Sequence, residues 1–259
     1  MNQSFNVVIP ARYASTRLPG KPLADIGGRP MIARVVDQAL RSGAAQVVVA
    51  SDDERVLDAV RALPCQARMT RADHVSGSDR VMEVAVACGW SPDTVVVNVQ
   101  GDEPLIPPQV IAQVARLLLG DPDTGVATLC ELMSDRDRVF DPNVVKVVVG
   151  SDGFARYFSR APIPFSRDGF GASEPAAGRL PEVGHWRRHI GLYAYRLAAL
   201  RHFVELPVGE LERVESLEQL RLVERGIGIR IAEAAAQVPG GVDTPEDLER
   251  VRRQLAAER

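Results

Sequence analysis

The segment Pro10–Pro22, PARYASTRLPGKP, puts Arg12, Arg17 and Lys21 on one stretch of chain. Three cations on one loop suit a polyanion such as a triphosphate, and Gly20 lets the backbone come close to it. Lys21 and Lys146 are the only lysines among 31 basic residues. A lysine kept in an arginine-rich chain points to a need for a compact point charge. The competing reading is an ordinary solvated basic loop. Neither common nucleotide motif is present. A Walker A loop would need Gly and Ser or Thr where Ser15 and Pro22 stand, and Gly226-Ile-Gly228 lacks the third glycine of a dinucleotide fingerprint.

The second chemical segment is Asn98–Pro104, NVQGDEP, which follows the Val-rich run Thr94–Val99. A carboxylate facing a polyphosphate commonly holds Mg²⁺, a hard cation that takes oxygen ligands, and Asp102 is read so. Glu103 is read as an acidic helix start. Gln100 can bond a sugar hydroxyl or a base. In the third segment, GGVDTPEDLER, Asp243 taken alone reads as a cap or turn residue. Arg71–Asp79, RADHVSGSD, reads as a polar loop suited to a base or ribose, or as plain surface. His189 and Tyr193 fall on one face of a strand, where a histidine is more often structural than catalytic. Arg187 and Arg188, an adjacent pair, read as solvent-facing. Glu215, Glu218 and Gln219 have helical spacing, the pattern of a wet helix face. No Ser-His-Asp or Cys-His arrangement supports covalent catalysis.

These residues need elements to position them. Phe5–Ile9, Gln46–Ala50 and Thr94–Val99 predict strands; Pro30–Arg41, a stretch through Leu63 capped by Asp52 or Asp53, and Pro107–Leu119 predict helices. Such alternation means βαβ units and a mostly parallel sheet. The loop after the first strand is about a dozen residues, where about two to six are usual. Long loops at the carboxyl ends of parallel strands are where such sheets bind ligands. In the second half, Asn143–Val149 and Phe154–Ser159 flank GSDG and predict a hairpin. His189–Tyr195 and Ile227–Ala232 predict strands, and Val214–Glu224 and Pro245–Ala257 helices. The expectation is one domain over 1–259 with a β-rich insertion at about 143–225.

The 259 residues are 46% hydrophobic and 25% charged, with a net charge of −3. Near-balanced charge excludes the basic excess of a nucleic-acid binder. No apolar run reaches the roughly 20 residues of a membrane span, and the N-terminus lacks signal-peptide character. Cys65, Cys88 and Cys130, odd in number and without CxxC spacing, read as buried thiols of a cytoplasmic protein.

Taken together, PARYASTRLPGKPL, RADH followed by SG, NVQGDEP, FSRAPIP and GVDTPEDLERVR resemble the 3-deoxy-D-manno-octulosonate (Kdo) cytidylyltransferase, or CMP-Kdo synthetase, family. The resemblance runs over nearly the whole chain in motif order, except Arg167–Trp186. It implies an α/β nucleotide-diphospho-sugar transferase fold, a Rossmann-like three-layer sandwich with a mixed central sheet, and a homodimer made partly by the insertion. It implies CMP transfer from CTP to Kdo, with Mg²⁺, for lipopolysaccharide synthesis in the cytoplasm. It places Arg12, Arg17 and Lys21 on the triphosphate, Gln100 on the nucleotide, and Asp102 and Asp243 on the metal. Arg160, His189, Tyr193, Glu218 and Gln219 would lie near the sugar acid. Other readings are a sister enzyme for 8-amino-Kdo or a sialic acid, and a non-catalytic nucleotide-binding protein of the same fold. The retained Lys21, Asp102 and Asp243 disfavour the last.

Overall fold

The computed structural model describes residues 4–15, 17–170, 180–182 and 184–257. Its strands are β1 (Phe5–Ala11), β2 (Gln46–Ser51), β3 (Gln66–Met69), β4 (Val95–Asn98), β5 (Val126–Met133), β6 (Lys146–Val149), β7 (Ala155–Ser159), β8 (Trp186–Arg196) and β9 (Ile229–Glu233). Its helices are α1 (Met31–Arg41), α2 (Glu54–Asp58), α3 (Gly77–Ala87), α4 (Pro108–Leu119), α5 (Arg136–Phe140), α6 (Arg167–Phe170), α7 (Leu197–Glu205), α8 (Glu210–Glu215), α9 (Leu220–Glu224) and α10 (Pro245–Ala257).

The sheet runs β3-β2-β1-β4-β8-β5-β9, with the β6–β7 hairpin joined to β8. β1 is parallel to β2 and β4, while β8 is antiparallel to β4 and β5. The mixed sheet therefore matches expectation. All of β1 and β4 is buried, as parallel strands covered on both faces must be. Period-two alternation sends Val7 and Ile9 into one core layer, with Val35 of α1 and Val114 of α4. Val8 goes into the opposite layer with Val84 of α3 and Phe203 of α7. A third, small core joins Ile26 and Met31 to Val242, Leu248 and Val251, docking α10 beside the first loop.

Several expectations need correction. Asp53, not Asp52, caps α2, accepting the Arg55 N–H at 2.9 Å, and α2 ends at Asp58, short of Leu63. The stretch Arg71–Asp79 is only partly loop. Ser76 and Asp79 form a capping box, so α3 begins at Gly77. Of the thiols only Cys130 is buried; Cys65 and Cys88 are partly exposed, and all three are free. Val214–Glu224 is not one helix: Ser216 takes a left-handed φ of 52° between α8 and α9. Tertiary bonds win over helix continuation there. The Glu215 carboxylate accepts from the Ser159 hydroxyl (2.5 Å) and the Arg160 N–H (2.9 Å). Glu215, Glu218 and Gln219 therefore share no helical face.

Candidate active site

The sheet order reverses at β1: β2 and β3 lie on one side, β4 on the other. A crevice opens at the carboxyl ends of strands at such a switch point, and here the loops after β1 and β4 meet. Gly101 makes the meeting possible. A Cβ there would lie 2.9 Å from the Pro10 carbonyl and 3.1 Å from the Ala11 Cβ. Gly20, at φ 69°, supplies a left-handed turn that side-chain-bearing residues avoid; it starts the short 3₁₀ turn Lys21–Leu23.

Lys21 is the centre of the arrangement. Its ammonium donates to Asp102 Oδ2 at 2.6 Å and to Asp243 Oδ1 at 3.1 Å. Arg17 reaches the same Asp243 oxygen at 3.2 Å. Burial pulls the Lys21 ammonium toward losing its proton, but the two carboxylates outweigh it, and its pKa is raised. Residues 222 positions apart are joined by the third core and by one backbone bond, Val242 N–H to Asp102 O at 2.9 Å. Asp247 then holds the Asp243 and Thr244 N–H groups at 3.1 Å each. Asp243 thus turns its carboxylate to Lys21 and Arg17, while Thr244 and Asp247 box the start of α10, the Asp247 N–H donating to Thr244 Oγ1 at 3.2 Å.

Two cavities adjoin this centre. One of about 360 Å³ is bordered by Arg12, Arg17, Lys21 and Gln100. The other, of about 710 Å³, is bordered by His189, Tyr193, Glu218 and Gln219. Gln100, Asp102 and Asp243 border both. The cationic cavity has the charge for a polyphosphate, and the larger one the hydroxyl, amide and carboxyl groups that bind a polyol. Among the described residues no group of three or more His, Cys, Asp or Glu could hold a metal. Two carboxylates already sharing one cation are a fitting donor set for Mg²⁺, which takes one or two carboxylates and completes its shell with phosphate and water.

His189 is partly buried, and desolvation, helped by the Arg188 charge, drives its imidazole pKa down to about 3. Its Nε2 lies 3.1 Å from Thr128 Oγ1. It is a neutral ring between Phe158 and Tyr193, with centroids at 4.9 and 5.3 Å. Glu218 accepts from the Ser78 hydroxyl at 2.6 Å, and burial raises its pKa.

Arg160 is the exception among the expected residues, because it does not border the larger cavity. Its guanidinium is spent on the carbonyls of Glu215 (2.7 Å), Pro142 (2.9 Å) and Ser216 (3.5 Å). These bonds brace the wall of that cavity. Two residues dismissed from sequence do border the cleft. Glu103 precedes α4, which starts at Pro108 with Pro107 as its cap, so it is no helix start. Burial pushes its carboxyl up to about 8, with the Asp102 charge adding to the rise. Arg188, expected in solvent, has a side chain only 15% exposed and pairs with Glu131 at 2.8 Å. The position of Glu103 after a strand was the only signal available; Arg188 offered none. Arg80, fully buried, borders the smaller cavity and pairs with Asp52 at 3.0 Å.

The Cytidylyltransferase family profile matches residues 6–231. A curated 3-deoxy-manno-octulosonate cytidylyltransferase of Alcanivorax borkumensis is 52% identical over 98% of this chain and 100% of its own. One of Pseudomonas fluorescens SBW25 is 53% identical over 99% and 100%. Among solved structures, a CMP:2-keto-3-deoxy-manno-octonic acid synthetase complexed with CTP superposes with a TM-score of 0.88. It is 46% identical and covers 99% of this chain and 100% of its own. A nucleotidyl transferase from Methanothermobacter, 14% identical with a TM-score of 0.61 over 99% of each chain, shares the fold alone. A cationic cavity and a larger polar one, joined at a lysine between two carboxylates, and this full-length similarity agree: the chain belongs to the cytidylyltransferase family, among the 3-deoxy-manno-octulosonate cytidylyltransferases.

Proposed function

We propose that the chain transfers CMP from CTP to the anomeric hydroxyl of Kdo and releases diphosphate. The observation that carries this reading is the Lys21 ammonium held between Asp102 and Asp243 where the two cavities join. A polyphosphate in one cavity and a sugar in the other meet at that point.

In-line attack on an α-phosphate is catalysed mainly by positioning and charge neutralisation. Asp102 and Asp243 are the residues that would hold Mg²⁺, with Lys21 the cation that occupies their shared charge in this structure. Bound there, Mg²⁺ supplies charge neutralisation at the phosphate and a lower pKa for a coordinated hydroxyl. Arg12, Arg17 and Lys21 line the leaving-group side, where negative charge grows as diphosphate departs. Gln100, at the junction, is placed to orient the nucleotide. On the sugar side, Tyr193, Glu218 and Gln219 offer hydroxyl, carboxyl and amide, and neutral His189 offers an uncharged ring.

The same reading makes the enzyme a cytoplasmic homodimer, with 143–225 supplying the sugar wall and part of the contact. Phe165, 62% exposed beside Phe170 at 5.6 Å, supports an apolar contact in that segment. Among the described residues no helix is long and apolar enough to cross a membrane. The test is diphosphate release with CTP, ATP, GTP or UTP against Kdo, 8-amino-Kdo and N-acetylneuraminate. Release with CTP and Kdo, above every other pair, is expected. Preference for another acid sugar makes the chain a sister enzyme, and no release with any pair makes it a binding protein.

A further inference from the structure

Asp102 and Asp243 can share one cation only if two loops far apart in sequence keep their carboxylates in register. Asp102 follows β4 and is anchored by the sheet. Asp243 ends the stretch Pro239–Asp243, which belongs to no strand or helix. Among the described residues one backbone-to-backbone bond ties that stretch down, Val242 N–H to the Asp102 carbonyl at 2.9 Å. Its Gly240-Gly241 pair does not hold a conformation by itself, since glycine loses the most freedom on ordering. Side chains must fix it.

The bonds that do so converge on Arg250 of α10. Its Nη2 donates to the Gly240 carbonyl at 3.2 Å, the Gly241 carbonyl at 3.0 Å and Asp247 Oδ1 at 3.0 Å. The other Asp247 oxygen accepts the Asp243 and Thr244 N–H groups. Arg250 and Asp247 therefore grip the loop on both sides of Val242. They do so from a helix whose Leu248 and Val251 sit in the small third core. The Asp243 carboxylate itself is left to Lys21 and Arg17. The clamp is open to water, its side chains 39% and 31% exposed. An ion pair so placed adds little to fold stability, and water can replace its bonds when it is lost. Its effect falls instead on where Asp243 stands. Outer partners that orient a metal ligand are typically worth about 10- to 100-fold in metal affinity.

We propose that Arg250 is a positioning residue: through Asp247 and the two glycine carbonyls it holds the Asp243 carboxylate where a cation shared with Asp102 requires it. The assignment rests on the reading of Asp102 and Asp243 as the Mg²⁺ ligands. Arg250 also borders the larger cavity, so a direct bond to the sugar is the competing role.

The test uses Mn²⁺ as the probe, with CTP and no sugar, so that nothing turns over. The electron paramagnetic resonance signal of free Mn²⁺ gives the factor by which the chain tightens the hold of CTP on the ion. Arg250→Met keeps the side-chain length and removes its donors; it should cut that factor by about 10-fold or more. Arg250→Lys, whose ammonium can restore a carbonyl bond, should fall between. Asp243→Asn sets the full loss. The double variant Arg250→Met/Asp243→Asn should lose no more than Asp243→Asn alone, because a residue acting through Asp243 then has nothing left to position. The melting temperature of Arg250→Met should stay within about 4 °C of the unaltered chain. Saturating Mg²⁺ should leave its Kdo KM as it was.

A tightening factor that Arg250→Met leaves intact overturns the proposal, and a raised Kdo KM beside it would make Arg250 a sugar contact. So does a double-variant loss equal to the product of the two single losses, which would have Arg250 act independently of Asp243. A larger drop in melting temperature, with Arg250→Lys as defective as Arg250→Met, would make the residue a brace of the fold and overturn it too. Should the unaltered chain not tighten Mn²⁺ on CTP, the metal reading fails and this assignment with it. Absence of Kdo turnover with the Mn²⁺ results as expected would sink the sugar assignment and support this one.

Discussion

The two lysines of the chain show what one compact ammonium can do in two settings. Lys146 is fully buried and donates its three protons to three carbonyls, those of Asp141 (2.8 Å), Val144 (2.6 Å) and Arg160 (2.6 Å). Its donors are used up and it has no further chemistry to offer. Lys21 is held by two carboxylates, both of which face the cavities, so its charge can be handed to an arriving phosphate. Lys21→Ala should therefore lower kcat more than it raises the CTP KM, since diphosphate charge develops in the transition state. The loss should be about 3 kcal/mol, roughly a hundredfold in rate. Steady-state kinetics at saturating Kdo decides it. A change in KM alone would leave Lys21 a ground-state binding group.

At the scale of elements, the cavity wall that carries Glu218 and Gln219 depends on the corner between α8 and α9, and that corner depends on β7. Arg160 and Ser159 at the end of β7 bind Glu215 and Ser216, and Lys146 on β6 ties the Arg160 carbonyl to the 141–144 loop. Arg160→Ala should raise the Kdo KM about tenfold by letting Glu218 and Gln219 drift, and it should lower the melting temperature without any sugar present. A direct contact to the sugar carboxylate would raise KM and leave the melting temperature alone. Lys146→Met should be worse for the fold. It strands three carbonyls, at about 1–3 kcal/mol for each that water cannot reach. Chemical denaturation of both variants, with the unaltered chain as reference, separates these outcomes.

For the whole molecule, the partly buried, neutral His189 links the fold to pH. The imidazole titrates near 6.5 when free and near 3 in the folded chain. Between those values the unfolded state binds more protons, so stability must fall as pH falls. The contribution is complete above about pH 6.5 and is lost progressively toward pH 3. His189→Asn lacks this dependence. Urea midpoints at pH 7.5, 6 and 5 should show the stability of the unaltered chain, relative to the variant, declining at each acid step. A difference that does not move with pH would mean that the ring is not held neutral by burial.

Continuous β-branched apolar runs such as Phe5–Ile9 and Thr94–Val99 determined β1 and β4, because a strand buried on both faces carries apolar side chains at successive positions. The long loop between β1 and α1 determined where a polyanion site would lie, because three cations on one chain segment stay together whatever the rest of the fold does. Local signals failed where long-range bonds set the answer. The break at Ser216 comes from β7, some 56 residues away in sequence, and no helical periodicity records it. Asp243 meets Lys21 only because a small core docks α10, a contact between chain ends. Arg188 and Glu103 border the cleft for a similar reason: the neighbours that bury them, Glu131, Val238 and Gly241, come from other elements. Charge type and spacing can be read along the chain, but burial is a property of the assembled neighbours, and it is burial that decides which of these groups bonds to protein and which is left for a ligand.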